Sequence, residues 1–179
     1  SLRLFLAASA TAFQEAPAGS IEELSDSGFL PFGCVPAVQI GDVVISSVGP
    51  ILRHLARVFE AEGGTTRHQL LCDMLSTQIL AAFDEFMRTH HGPSATAETR
   101  HRFVQLQVVP YLQSFTRVLR DNALRYGPDC YLVGRQWTYP DVQLFDLVDQ
   151  TLEAHGPEAL QEFPEVLQHS RKVRALPNL

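Results

Sequence analysis

The sequence predicts a small α/β unit followed by an all-helical domain. Two observations predict this order. Residues 35–40 and 43–45 form β-branched runs on either side of Gly41-Asp42, which is the pattern of a tight hairpin. From Pro50 onward, apolar residues recur at spacings of three and four, which is typical of helices, and the alternating pattern does not return.

Composition limits the class of protein before any motif is considered. The chain has 179 residues, of which 45% are hydrophobic and 19% charged, so it can bury a core without disulfides or metals. A net charge of −6 without a basic stripe argues against nucleic acid as a partner. Cys34, Cys72 and Cys130 include no C-x-x-C pair, and no apolar run is long enough to span a bilayer. We therefore expect the cytosol or an organelle matrix, with the mitochondrial matrix among the options.

The N-terminal unit begins with a helical pattern. Leu2, Phe5 and Leu6 share one face and predict a helix within the first ten residues. A loop follows and ends at Ser20, with Glu23 at the spacing of a capping box, so we expect a second, short helix. The hairpin comes next, and its two strands are expected to pair antiparallel.

Apolar stripes predict the helices that follow the hairpin. Gly63-Gly64 ends the first of them and marks a domain boundary, while Pro110 is expected to bend or locally break the third. The stripes are formed by Ile51, Leu52, Leu55, Val58 and Phe59; by Leu71, Leu75, Ile79, Ala82 and Phe86; by Val108, Tyr111, Leu112, Phe115, Val118 and Leu119; and by Val142, Phe145, Val148 and Leu152, before a last helix over residues 163–175.

Three separated stretches resemble the cytosolic glutathione S-transferases of the sigma and pi type. LPFGCVPAV at residues 30–38 is similar to the family's FGxxPxL segment, and PILRHLAR at residues 50–57 is similar to its AILRYLAR helix. YLVG at residues 131–134, followed by WTYPD at residues 137–141, resembles YLVGxxxSxAD, the start of the family's core helix. The resemblance covers nearly the whole chain.

The physics of the third stretch is independent of the family. Thr138 and Asp141 have the spacing of a capping box, in which the carboxylate reaches back to the cap residue. Trp137 can pack on Val142 as a hydrophobic staple. We therefore expect a helix to begin at this point.

The resemblance implies a thioredoxin-like α/β N-terminal domain over residues 1–61 and an all-α glutathione S-transferase C-terminal domain over residues 64–179. The gapless register places the family's first strand upstream of Ser1, together with the Tyr or Ser that stabilises the glutathione thiolate, so the first βα unit is expected to be incomplete. Three explanations stay open. The strand lies outside this sequence, a partner supplies it, or residues 2–7 form it and the first helix is lost; the third is disfavoured because it requires a deletion.

The resemblance also implies glutathione as co-substrate, without a metal. The backbone of Val35 and the family's cis proline, Pro36, are the contacts expected to survive. The family's Gln-Ser pair falls on Ser47-Val48, and a one-residue slip would let Ser47 provide the hydroxyl. Cys34 stands where the family usually has Gln or Lys. The resemblance identifies no catalytic residue in this sequence.

Several site positions depart from the family pattern. Its Trp and Lys fall near Glu23 and Ser27, and its acidic residue from the other subunit falls on Ala81, with Asp84 one turn away. For single residues we favour the structural interpretation over the functional one. These are a buried structural cysteine at Cys34 rather than a reactive thiol, a solvated helix end at His90-His91 rather than a metal site, and core packing at Phe83 and Phe86 rather than a substrate pocket.

Two functions stay open. The departures favour a non-catalytic binding or assembly subunit of a larger complex. The alternative is an active glutathione transferase or isomerase that conjugates glutathione to a hydrophobic electrophile, with its catalytic strand upstream of Ser1. By resemblance, a homodimer or a larger protein assembly is expected.

Overall fold

A computed structural model describes residues 1–15, 21–93 and 95–179. Within these ranges, the N-terminal part contains three helices and a hairpin, and the rest is mainly helical, as the sequence predicts. The elements are α1 (Leu2–Ala8), α2 (Ile21–Asp26), β1 (Ala37–Ile40), β2 (Val43–Ser46), α3 (Val48–Val58), α4 (Thr66–His91), α5 (Ala97–Phe103), a π-helical segment (Val104–Val108), α6 (Val109–Tyr126), α7 (Tyr139–His155), a short 3-10 helix (Pro157–Leu160) and α8 (Pro164–Arg174).

Helix α1 lies where the sequence predicts it. Phe5 and Leu6 are buried, and Leu2 packs against the same core. The Phe5 ring meets Trp137 edge-on, with 5.8 Å between the ring centroids, so α1 is anchored beside the start of α7. The alternative in which residues 2–7 form a strand is therefore wrong.

Helix α2 follows with Glu22 and Glu23 in its first turn and without a buried residue. The predicted N-cap of this helix, Ser20, lies outside the described residues. Acidic residues in the first turn favour the helix through its dipole. With no buried side chain, α2 is held mainly by backbone contacts with the loop that follows it.

The hairpin pairs antiparallel as predicted, in a register that runs from Ala37 opposite Ser46 to Ile40 opposite Val43. β1 begins two residues later than the sequence suggested. Pro36 has no N–H to donate to a ladder, although its carbonyl oxygen accepts a hydrogen bond from the Ser47 N–H at 3.0 Å.

Helix α3 begins two residues before Pro50, the first residue of the predicted helical period. Ile51, Leu52 and Leu55 are buried as expected. Val58 is 58% exposed, so its prediction as a core residue is wrong. It is the last residue of α3, where the helix ends at the edge of the packed surface.

Helix α7 is the centre of the C-terminal region. Its first ten residues, 139–148, are all buried, and it packs against α1, α3, α4 and α8. A helix buried on every side belongs at the middle of a bundle. The thioredoxin-like α/β part and the all-helical part thus share α7 as common support.

The helix predicted around Pro110 is interrupted where the proline requires it. The Val109 N–H donates to the Val104 carbonyl, five residues back, and Pro110 follows in the first turn of α6. Pro110 cannot donate to the carbonyl four residues back, so the ladder shifts register before it. In the described part of the chain, no helix is both long and apolar enough to cross a membrane.

Candidate functional site

The first feature of the candidate site is an open peptide unit at Val35. The Val35-Pro36 bond is cis, as the resemblance implies, and Val35 is 53% exposed. Neither the N–H nor the C=O of Val35 forms a hydrogen bond with another described residue. Both groups are therefore available to a ligand with an extended backbone.

Ser47 and Cys34 meet beside this peptide. Ser47 occupies the N-cap position of α3 with φ +75°, a conformation uncommon for a residue other than glycine. Its side chain does not cap the helix, and its Oγ instead lies 3.9 Å from the Cys34 Sγ. The hairpin therefore brings Cys34, Val35, Pro36 and Ser47 together at one edge.

The N-terminus of α3 contributes main-chain donors to this edge. Val48 and Gly49 are the first two helical residues, whose N–H groups have no acceptor inside the helix. Pro50 follows and has no N–H. A ligand carboxylate would thus meet two N–H groups and the positive end of a helix of 11 residues.

The prediction that Cys34 is a buried structural cysteine is wrong, because this thiol is half-exposed in the loop before the hairpin. The other two cysteines are buried. Burial raises the pKa of the Cys72 thiol to about 12 and also raises the pKa of the Cys130 thiol. Cys34 is consequently the accessible thiol of the three.

Acidic groups, rather than cations, lie near the loop of the site. α2 packs against this loop, since Leu30 N–H donates to the Leu24 carbonyl at 3.4 Å. The helix carries three carboxylates, on Glu22, Glu23 and Asp26. Among the described residues, no Arg, Lys or His side chain forms a hydrogen bond or an ion pair with residues 29–36. An anionic ligand at this edge would therefore have to rely on main-chain N–H groups and the α3 N-terminus rather than on a described cationic side chain.

Other predicted positions have no described contact with the hairpin residues of this edge. Ala81 and Asp84 are exposed on α4, and no described contact brings either of them to Val35. Phe86 is buried and Phe83 packs against the core, which agrees with core packing. The structure thus assembles the hairpin residues, and no described contact joins Ala81 or Asp84 to them.

The prediction of a solvated helix end at His90-His91 is wrong for His90. His91 is exposed, but His90 is half-buried and stacks on Phe86, with 4.0 Å between ring centroids. His90 also contacts His155, which no motif indicated. Within the described ranges, no group of three or more His, Cys, Asp or Glu side chains could hold a metal.

Asp141 confirms the predicted capping carboxylate and does more. It accepts hydrogen bonds from the Thr138 N–H at 2.7 Å, the Thr138 hydroxyl at 2.7 Å and the Leu132 N–H at 2.8 Å. The two Thr138 groups donate to Oδ2, whereas the Leu132 N–H donates to Oδ1, and His169 Nε2 lies 2.7 Å from the same Oδ1; both the Asp141 and the His169 side chains are almost fully buried. Asp141 therefore fixes the start of α7 to the preceding loop and to α8.

A second network ties α3 to α4 and α7. The Tyr139 hydroxyl donates to Asp73 Oδ1 at 2.7 Å, and Arg53 Nε donates to the same oxygen at 2.8 Å. Although burial opposes ionisation, the bonds from Tyr139 and Arg53 hold the pKa of Asp73 below its usual value. The same burial and the bond to Asp73 raise the pKa of Tyr139. This network supports the base of the candidate site.

Comparison with known proteins agrees with this architecture. The family model described as glutathione S-transferase, C-terminal domain, matches residues 80–179, more than half of the chain. Rat glutathione S-transferase alpha-2 is 28% identical over 182 residues, covering 99% of this chain and 79% of that protein. A Plasmodium falciparum glutathione S-transferase is 26% identical over 150 residues, covering 83% of this chain and 69% of that protein.

Solved structures extend the agreement to the fold. The Onchocerca volvulus pi-class glutathione S-transferase superposes with a TM-score of 0.86 at 22% identity, covering 99% of this chain and 83% of that one. The placement in the sigma or pi class stays a prediction, since the sequence relatives include alpha proteins. The family model and the shared two-part fold lead to one conclusion: the chain belongs to the glutathione S-transferase family.

Proposed function

We propose that this protein is a non-catalytic binding or assembly subunit that holds glutathione weakly through main-chain groups. One observation carries the proposal: the Val35 peptide is open beside the N-terminus of α3, and no described cationic side chain forms a hydrogen bond or an ion pair with residues 29–36. Glutathione is an extended tripeptide with two carboxylates and an amine. Main-chain groups can bind such a ligand even where charged side chains are lost.

The main-chain groups offer the ligand two separate points of contact. The N–H and C=O of Val35 can pair with the ligand backbone as an added strand does. The N–H groups of Val48 and Gly49 can bind one carboxylate with help from the helix dipole. The exposed Ser47 hydroxyl lies next to them and can accept or donate a further bond. Val35, Pro36, Ser47 and Cys34 are the proposed contact residues.

Turnover requires more than binding. The thiol of glutathione must lose its proton, which a neighbouring cation or donor hydroxyl favours. α2 places Glu22, Glu23 and Asp26 near the site loop, and their negative charge opposes a thiolate. We therefore expect a bound ligand whose thiol stays protonated.

An active transferase is the second candidate, because relatives that are named glutathione S-transferases align along 99% of the chain. In that case the group that stabilises the thiolate would come from a strand upstream of Ser1 or from a partner. Conjugation of glutathione to chlorodinitrobenzene separates the two candidates. A rate above that of buffer, removed by a competing S-alkyl glutathione, would favour the enzyme.

Binding itself is tested by calorimetry on the wild type and on Val48→Pro. Proline at the first helical position removes the N–H without disturbing the helix, whereas Val48→Ala keeps the N–H and is the matched control. We expect a Kd on the order of millimolar for the wild type, weakened about tenfold by Val48→Pro because a charge-assisted hydrogen bond is lost. Absence of heat from the folded wild type, or equal binding by both variants, would overturn the proposed site.

We further propose that the protein self-associates through the loop before the hairpin. Phe32 is 83% exposed in this loop, and large exposed apolar side chains often mark interaction sites. Sedimentation velocity at micromolar concentration should show a dimer. A monomer at every concentration would contradict this part of the proposal.

A further inference from the structure

Two histidines join the C-terminal ends of α4 and α7. His90 Nε2 lies 2.8 Å from His155 Nε2, and the two rings are nearly perpendicular, at 86°. The His90 ring is fixed on its other sides, since it stacks on Phe86 and meets Phe103 edge-on at 5.4 Å. This histidine bridge connects residues 65 positions apart and lies at the start of the segment that leads to α5.

The protons of the bridge follow from its partners. His90 Nδ1 lies 2.9 Å from the Phe86 carbonyl oxygen, which can only accept, so Nδ1 carries a hydrogen. In neutral His90 the Nε2 atom therefore has a lone pair. His155 Nε2–H must donate to it, which completes the bridge with both rings neutral.

Protonation changes this bridge in two steps. The first added proton can bind to Nδ1 of His155, because the Nε2–H of His155 can then still donate to His90 Nε2. A second proton, on His90 Nε2, would set two N–H groups against each other at the 2.8 Å separation. The hydrogen bond between the two rings is therefore kept after the first protonation and lost after the second.

The surroundings oppose even the first proton. Arg100 and His101 of α5 and His91 of α4 all add positive charge, and Arg100 Nη2 lies 3.5 Å from the His90 carbonyl. No described carboxylate lies within ion-pair distance of either ring. Burial is the main cause that lowers the pKa of both histidines; nearby positive charge lowers it further, and the hydrogen bond to the Phe86 carbonyl, which raises the pKa of His90, does not reverse the shift.

We propose that the histidine bridge is a pH-sensitive fastening that holds α5 and the end of α4 against α7 at neutral pH and releases them on acidification. α5 packs on α4, and its Arg100 Nη2 lies 3.5 Å from the His90 carbonyl oxygen, so protonation of the rings repels this helix directly. Among the described residues, no hydrogen bond or ring contact links His90 or His155 to residues 34–36 or 47–49, so the device can be tested without ligand.

The sign of the pH effect follows from linkage. The unfolded histidines bind protons near pH 6.5, whereas the folded pair binds them only at lower pH. The stabilising contribution is therefore complete well above pH 6.5 and is lost as the pH falls from this value through the lower pKa of the folded pair. Each unit by which folding lowers the pKa of a histidine changes the unfolding equilibrium about tenfold at low pH.

Hydrogen exchange of the α5 amides between pH 7.5 and 5.5, corrected for intrinsic rates, tests the proposal. His155→Gln retains an N–H that can donate to His90 but cannot take up a proton, and His91→Gln, which removes a neighbouring imidazole but keeps both histidines of the bridge, is the matched control. In the wild type and in His91→Gln, we expect the protection of the α5 amides against exchange to be about tenfold lower at pH 5.5 than at pH 7.5. His155→Gln should lose markedly less.

The proposal is overturned if wild-type α5 keeps its protection at pH 5.5, or if His155→Gln and the wild type respond alike. Should His155→Gln fail to fold, imidazole ¹⁵N spectra of the wild type decide. Titration of the two rings in separate steps, both below pH 6.5, supports the bridge. Independent titration near pH 6.5 refutes it.

Discussion

The start of α7 and the hairpin differ in the burial of their residues and in how their backbone polar groups are satisfied. Residues 139–148 are all buried, and Asp141 satisfies the donors that precede them. In the hairpin, no residue of β1 is buried and Ser46 is the one buried residue of β2. A two-stranded sheet is marginal by itself. The helical region therefore supplies the stability, and the hairpin keeps the open peptide that a ligand can use.

The largest effect is expected at Asp141. Asp141→Ala leaves the Thr138 and Leu132 donors and the His169 ring buried without their partner, so we expect a loss of about 3–5 kcal/mol in the free energy of unfolding. Urea denaturation measures it. Asp149→Ala, which removes an exposed ion pair with Arg174, is the control and should cost below about 1 kcal/mol. Equal losses in both variants would contradict the contrast.

A smaller effect is expected where the two regions join. Tyr139→Phe removes one hydrogen bond to Asp73, which keeps Arg53 as its other partner. We expect a loss of about 1 kcal/mol in urea denaturation, since the rest of the buried ring stays in place. No change in stability would mean that this network does not help to hold α3 on the bundle.

The smallest effect is expected in the hairpin. Val43 is 55% exposed in β2, and Val43→Thr keeps the β-branched shape. The free energy of unfolding should change by less than about 0.5 kcal/mol. A loss as large as that of Tyr139→Phe would show that another surface covers this strand and would remove the contrast between the regions.

Local patterns carried most of the fold prediction. The capping spacing of Thr138 and Asp141 and the apolar stripe of α4 are local signals, and the structure confirms both. The antiparallel hairpin was predictable for the same reason, since its turn and its strands are adjacent in the chain. The helical spacing of the apolar residues could not show that Val58 lies at the end of α3 and is exposed.

Long-range pairs explain what the sequence could not predict. His155 lies 65 residues from His90, and Tyr139 lies 66 residues from Asp73, so no spacing rule connects them. The exposure of Cys34 depends on how the loop sits against α2, which the sequence does not encode locally. Among the candidate site residues, the resemblance predicted a group at residues 34–36 and 47, whose role in binding stays a prediction. The hydrogen bonds of these residues could be established only from the structure.

The most direct test of the central claim is a glutathione titration followed by amide resonances of the folded protein. Val35 and Val48 should shift together at millimolar ligand and their amides should exchange more slowly, because both N–H groups gain an acceptor. Amides in the buried half of α7 should stay unchanged. Unperturbed Val35 and Val48 resonances at that concentration would contradict the assignment of the open peptide as a binding site.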